Sequence, residues 1–324
     1  MINTITNNKI LSHLNRVMGD HKPITADVFL DNYCNNNCPY CTYKRWDFHE
    51  DARYMSFNDF KQYASRLVEL GVLGIILTGG GEPTISKDFD KITSWLENQG
   101  IKYGINTNFN RYVECNPEYL KVSLDAYDRE SYKQVRGVDE YDIVRDNICR
   151  FAEYKTDDTR LGIQMVAKSA DDVWKFHGAN KDLPVDYIVI RPVESTDGKY
   201  YQRFKDEAYI EPMIESPKVI IKAIENVMAE DDRVVMNFKW HMLDTRFEQC
   251  SGQWSQIALN ELGEVMYCCH KPYQIVGHIM DEDILDKKIK AVTDMKMCDV
   301  PCRLTSVNSI LSLIDKDMSN AEFI

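Results

Sequence analysis

Cys34-Asn35-Asn36-Asn37-Cys38-Pro39-Tyr40-Cys41 decides the fold: three cysteines in a C-x3-C-x2-C arrangement, directly after the apolar run Asp27-Val28-Phe29-Leu30. Three thiolates this close can hold three corners of a cubane 4Fe–4S cluster and leave the fourth iron without a protein ligand. Thiolates also suit a structural zinc ion, but zinc knuckles usually pair two ligands with a distant second pair. Here three cysteines fall within eight residues, and no histidine follows until His49.

Upstream, Ile10, Leu11, Leu14 and Val17 recur at helical spacing before Gly19 and Lys22-Pro23, which predicts a short helix over residues 8–18 on the outside of the domain. Downstream the chain alternates. Ser56-Phe57-Asn58-Asp59 reads as a capping box, with Phe60, Tyr63, Ala64 and Leu67 marking one helix face and Gly71 ending it. Residues 72–77 are almost without polar side chains, as a parallel strand covered on both faces is. A helix over 88–99 turns Phe89, Ile92 and Leu96 inward, and strands follow over 102–106, 119–124, 161–167 and 187–190, with helices over 139–153 and 171–178 among them. Such alternation implies right-handed βαβ units and a parallel sheet, six units being countable. Chemistry in such sheets gathers at the C-terminal ends of the strands.

Polar segments fall at those ends. Thr78-Gly79-Gly80-Gly81-Glu82-Pro83 follows the second strand, where glycine lets backbone approach a ligand or simply makes a turn. Asn106-Thr107-Asn108 closes the third strand, and Ser123-Leu124-Asp125-Ala126 the fourth, with Arg136 soon after. Gln164 lies in the fifth strand among apolar neighbours and, if buried, needs a partner. It is a candidate for ribose hydroxyls, against a satisfied core glutamine. Arg191 ends the sixth strand and Glu194 follows; both are placed to reach a ligand or to form ion pairs.

The cysteine spacing, with Tyr40 before the last cysteine and a glycine-rich segment some forty residues later at the next strand tip, resembles the radical S-adenosylmethionine (radical SAM) superfamily. The resemblance implies an α/β fold, a partial (β/α)6 TIM-type barrel and not the eightfold one. It also implies that Cys34, Cys38 and Cys41 hold a 4Fe–4S cluster whose open iron is chelated by SAM. Reductive cleavage of SAM then gives methionine and a 5′-deoxyadenosyl radical that takes a hydrogen atom from substrate. Carried over residue by residue, Gly79, Gly80, Gly81 and Glu82 bind the SAM amino group, and Asn106 and Asn108 lie near SAM, with Phe109 where a glycine is usual. Ser123 and Asp125 belong to a Ser-Leu-Asp segment whose serine meets the methionine carboxylate. Arg136 pairs with that carboxylate through its planar fork of donors, a solvated helix-end cation being the plain alternative.

Beyond about residue 238 cysteines return as Cys250, Cys268, Cys269, Cys298 and Cys302. Residues 257–259 and 265–267 form a predicted hairpin across 260–263, which would bring Cys250 and Cys268 together. This half resembles the SPASM/twitch extension of radical SAM enzymes. The shorter twitch form implies one auxiliary 4Fe–4S cluster on Cys250, Cys268, Cys298 and Cys302, leaving Cys269 unassigned. A zinc ion held by four cysteines is the structural alternative. Cys115 and Cys149 read as buried free thiols. The tyrosine-rich segment between Glu194 and Pro212 reads as a candidate lid, and Tyr201, His241 and Asp244 as candidates for mutation, although no catalytic acid or base is assigned.

At 324 residues and a formal net charge of −12, the chain is one large domain or a domain with an appendage, and clustered positive charge for nucleic acid or anionic membrane is not expected. No signal-peptide pattern or membrane-length apolar run is visible, and ten cysteines read as ligands and thiols, so a cytoplasmic place is expected. The expected organisation is a lead-in over 1–23, a core barrel over 24–237, an auxiliary-cluster segment over 238–305 and a helix with tail over 306–324. The expected function is hydrogen abstraction from a small molecule such as a carbohydrate alcohol, with a flavodoxin- or ferredoxin-type electron donor; the small molecule is favoured because the short lead-in is not expected to form a leader-peptide-binding domain. Alternatives are modification of a ribosomally made peptide and, in another class, a non-catalytic iron–sulfur or zinc protein serving regulation or assembly.

Overall fold

The computed structural model describes residues 10–39, 41, 43, 52–192, 215–236, 247–269, 271–294 and 304–314. Tyr40, Tyr201, His241, Asp244, Cys298, Cys302 and the segment over 194–212 lie outside the described residues.

Six strands run in sequence order across one parallel sheet: β1 (Thr25–Phe29), β2 (Gly74–Thr78), β3 (Tyr103–Thr107), β4 (Tyr119–Ser123), β5 (Arg160–Ala167) and β6 (Tyr187–Pro192). A two-residue β7 (Val234–Val235) adds to β6 in parallel. All six fall where the periodicity predicts them, within one or two residues. Helix α1 (Phe57–Glu69) links β1 to β2 and α2 (Phe89–Asn98) links β2 to β3. Two helices, α3 (Arg129–Arg136) and α4 (Tyr141–Tyr154), precede β5, while α5 (Ala170–Asn180) precedes β6 and α6 (Pro217–Glu230) precedes β7. The connection from β3 to β4 differs from the expected unit, crossing without a helix. Its last turn is fixed by Glu97, which accepts the Asn116 N–H at 2.8 Å and the Tyr103 hydroxyl at 2.6 Å.

Local sequence explains the helices. Ser56 accepts the Asp59 N–H at 3.2 Å at the start of α1, and Phe60, Ala64 and Leu67 one and two turns on are buried against the sheet. Full burial of such a Phe or Leu contributes roughly 1.5–3 kcal/mol. Asp128 and Ser131 form a reciprocal capping box on α3, and Gly137 ends it in the left-handed conformation.

The C-terminal hairpin forms as the sequence predicts, with β8 (Gln256–Leu259) antiparallel to β9 (Glu264–Met266) in the register Ala258↔Met266, and β10 (Ile275–His278) completing it. No local pattern announces its placement: β8 pairs with β1 in parallel, Thr25↔Gln256 through Val28↔Leu259. The strand before the cysteine loop is therefore interior, and the described residues form one open ten-stranded sheet with β7 and β10 at its edges.

A second, smaller core lies beside the sheet. It contains Ile10 and Val17 from the lead-in, Cys250, Trp254, Tyr267 and Cys268 from around the hairpin, Val292 from α7 (Ile284–Asp294), and Leu304, Val307 and Leu311 of or beside α8 (Thr305–Ile314). The lead-in, expected on the outside, instead buries Ile10 and Val17 here, and its chain widens to a π turn over Asn15–Gly19. Among the described residues no helix is long and apolar enough to cross a membrane.

Candidate functional site

The cysteine loop leaves β1 at the C-terminal face of the sheet, and each of its three asparagines is held by a neighbouring element. Asn35 Oδ1 accepts the Asn108 side-chain amide at 2.7 Å. Asn36 Oδ1 accepts that of Asn110, also at 2.7 Å. The Asn37 N–H donates to the Arg136 carbonyl at 2.9 Å, where a Cβ on Gly137 would come within 2.4 Å of the Asn37 carbonyl oxygen. The loop is clamped between the end of β3 and the end of α3.

The glycine segment packs on the root of the same loop. Gly81 N–H donates to the Asp31 carbonyl at 3.0 Å, and Glu82 N–H to the Tyr33 carbonyl at 2.8 Å. A Cβ on Gly81 would stand 1.9 Å from the Tyr33 carbonyl oxygen, so only glycine fits. Glu82 is 3% exposed. Its Oε1 accepts from Thr84 N–H at 3.1 Å, Thr84 hydroxyl at 2.7 Å and Thr107 hydroxyl at 2.5 Å, while Oε2 accepts the Asn108 N–H at 2.6 Å. Burial pushes its carboxyl above the ordinary range, and those four donors oppose the shift. Glu82 thus ties β2 to β3.

Arg136 is brought to the same place and is nearly buried, its Nη2 donating to the Ser123 carbonyl and to Asp125, and its Nη1 lying 3.6 Å from Cys38 Sγ. The solvated-cation reading of Arg136 is therefore corrected: the end of α3 packs it inward. Asp125 adopts φ +54 and accepts the Val166 N–H at 2.6 Å, fixing the end of β4 against β5. Gln164 is buried in register with Ser123. Asn106 lies on the face opposite its neighbours, and its Oδ1 is buried without a hydrogen-bond partner among the described residues. Arg191 is half-buried at the end of β6, in register with Val166.

Phe109 takes φ +62, the left-handed backbone that glycine favours, while its ring is fully buried against Phe151. The backbone conformation is that of the absent glycine, and the side chain fills the space beside it.

The donors around the sulfurs fit thiolates that carry a cluster. Cys34 Sγ faces the Asn36 N–H at 3.4 Å and the Asn108 amide at 3.8 Å, and Cys38 faces the Arg136 guanidinium. Hydrogen bonds to sulfur tune such clusters. With only the protein present, burial and the charge of Glu82 push the Cys34 thiol up, a cost that a bound metal cation would offset. Cys34, Cys38 and Cys41 are half-buried. Among the described residues, no three Cys, His, Asp or Glu side chains converge as ligands of a single ion would.

The sequence reading did not pick out two further acidic residues. Asp31 and Glu261 follow β1 and β8, so they stand with Glu82 at the C-terminal ends of three adjacent parallel strands. Neither Asp31 oxygen makes a well-formed hydrogen bond among the described residues. Burial, then Glu82 and Glu261, push its carboxyl up to about 8. Arg53 Nε lies 2.9 Å from Glu261 Oε1. The available signal was a lone carboxylate closing an apolar strand three residues before a cysteine.

Of the other cysteines, Cys250 and Cys268 are both buried in the small core. Cys269 packs against Phe29, Ala258 and Met266, and its carbonyl accepts the hydroxyl of Tyr43, two residues past Cys41, at 3.1 Å. Cys115 is buried as expected. Cys149 is exposed, because α4 turns Ile148 inward and carries the next residue to solvent.

Residues 29–167 match the family described as the radical SAM superfamily. A probable GTP 3′,8-cyclase of Saccharolobus islandicus is 26% identical over 171 residues, covering 50% of this chain and 54% of that protein. The chain spans about half the length of this and two further Saccharolobus relatives that it matches. Streptococcus suis SuiB, solved with precursor peptide SuiA, is 14% identical with a TM-score of 0.63, over 91% of this chain and 73% of that one. A structure of anSMEcpe with AdoMet and a Cp18Cys peptide is 16% identical with a TM-score of 0.61, over 87% of this chain and 89% of that one. These likenesses are likenesses of fold.

Proposed function

We propose that this chain, which carries a radical SAM domain over residues 29–167, is an enzyme that reductively cleaves SAM and abstracts a hydrogen atom from its substrate. The observation that carries the reading is the convergence at one sheet face of the cysteine loop, the glycine segment, the end of β3 and Arg136, tied by direct hydrogen bonds. Cys34, Cys38 and Cys41 hold the cluster. Gly79, Gly80 and Gly81 offer backbone at close range to the SAM amino group, and Glu82 keeps that backbone in place. Asn106, whose buried oxygen awaits a donor, and Gln164, beside Ser123, line the approach for the rest of the cofactor. A cluster held there supplies the electron that splits SAM, a flavodoxin- or ferredoxin-type protein being its donor in the cytoplasm.

A peptide is the substrate class with most support, since the two peptide-bound structures resemble this chain over 87% and 91% of its length, beyond the barrel alone. A small molecule is the second reading, supported by the GTP 3′,8-cyclase relatives. Carbohydrate alcohol oxidation draws no support from these relatives.

Anaerobic incubation with SAM and a strong reductant tests the reaction. The expected products are methionine and 5′-deoxyadenosine, abolished by Cys38→Ala. Their absence from protein with an intact cluster would leave only the non-catalytic metal protein. Deuterium transfer into 5′-deoxyadenosine from labelled peptide or nucleotide candidates then separates the substrate classes.

A further inference from the structure

The small core carries polar chemistry that apolar packing does not require. Helix α8 lays Asn308 across Cys250, and Asn308 is 1% exposed. Its Oδ1 accepts the Gly252 N–H at 2.6 Å, and its Nδ2 lies 3.4 Å from Cys250 Sγ. A backbone N–H can only donate, so the amide cannot be turned over, and its own N–H is held against the sulfur. A methyl group at Gly252 would stand 3.1 Å from Asn308 Oδ1 and 3.2 Å from the Leu304 Cβ, close enough to press on the amide that meets the sulfur.

A neutral thiol is a weak acceptor and gains little from such a donor. A metal-bound thiolate gains far more, and outer-shell donors of this kind orient ligands and tune the metal. Two further polar groups in or beside the small core are buried. The indole N–H of Trp254 and the hydroxyl of Ser306 are buried without a hydrogen-bond partner among the described residues. Buried polar groups normally find partners.

We propose that Asn308 is a positioning residue for a thiolate–metal site built on Cys250, its side-chain N–H holding the sulfur that would bind the metal. The proposal rests on reading the C-terminal cysteines as metal ligands, and it names a residue outside that set.

The test uses the full chain with Cys34, Cys38 and Cys41 replaced by alanine, so that any bound metal belongs to the C-terminal site. The chain is reconstituted anaerobically with iron and sulfide, and separately with zinc. Retention is followed under a chelator, alongside the melting temperature of the metal-free chain. Asn308→Asp keeps an oxygen for Gly252 and removes the N–H. It is expected to weaken metal retention by about 10- to 100-fold and, in the iron form, to lower the midpoint potential, with the metal-free melting temperature little changed. Unchanged retention and potential, or a parent chain that binds no metal, would overturn the proposal. Should Asn308→Asp fail to fold, Gly252→Ala, which asks the amide to give only a few tenths of an ångström, must weaken retention if the proposal holds. SAM cleavage is read separately in the wild type: its absence would remove the radical reading and leave this result standing.

Discussion

Arg136 Nη1 lies 3.6 Å from Cys38 Sγ while Nη2 of the same guanidinium is bound to Asp125 and to the Ser123 carbonyl. One cation thus faces the cysteine loop and a buried carboxylate at once. Both side chains are almost wholly buried, so removing one leaves the other charge unpaired in a low-dielectric site. Breaking such a pair costs about 3–5 kcal/mol. Arg136→Met is expected to lower unfolding free energy by roughly that amount in denaturant titrations, and Asp125→Asn in the same chain to recover a large part. If the double variant is as unstable as the single one, Asp125 is not the reason.

Asn110 joins the loop to α3, donating its amide to Asn36 at 2.7 Å and accepting the Tyr132 hydroxyl at 2.8 Å. Tyr132 is buried and Asn36 half-buried, and the two side chains also meet each other, so Asn110→Ala removes one partner from each and is expected to cost about 1–3 kcal/mol in all. The expected readout is a shortfall of about four irons per chain after reconstitution, or their faster loss, at retained secondary structure. Full iron loading in a folded Asn110→Ala chain would show that the loop holds its shape without this clamp.

Much of this was legible beforehand, and the reason differs by element. The six strands were readable because each is a short apolar run whose pattern is local, and the glycine segment because Gly81 admits no side chain beside Tyr33. The pairing of β8 with β1 was not, since it joins Thr25 to Gln256 across most of the chain. Cys149 was misjudged by one helical step: Ile148 is buried and its neighbour is not. Glu82 was readable as a carboxylate at a strand end, but not the four donors that occupy it, because the shortest of those bonds come from the end of β3.

Phe109 sets two effects against each other. Its left-handed backbone costs about 1–3 kcal/mol, which Phe109→Gly would relieve. Its ring is fully buried in the core against Phe151, and deleting such a ring costs about 3–5 kcal/mol. Packing outweighs strain, so Phe109→Gly is expected to destabilise by a net few kcal/mol. A chain made more stable by the substitution would show that the cavity collapses.

Asp31 predicts a pH dependence whose sign follows from its surroundings. Burial, Glu82 and Glu261 raise its carboxyl from 3.8 to about 8, with Arg53 meeting Glu261 and not Asp31. The folded chain therefore holds a proton that the unfolded chain releases between about pH 4 and pH 8. Folded-state stability from this group is fully present below the lower value and is lost as pH rises through the upper one. Asp31→Asn removes the titrating group while keeping its shape. Denaturant titrations of the metal-free chain should show the variant gaining on the wild type progressively from pH 4 to pH 8. A constant difference across that range would mean that Asp31 is ionised in the folded chain, its charge met by the nearby Tyr33 and Glu82 amides.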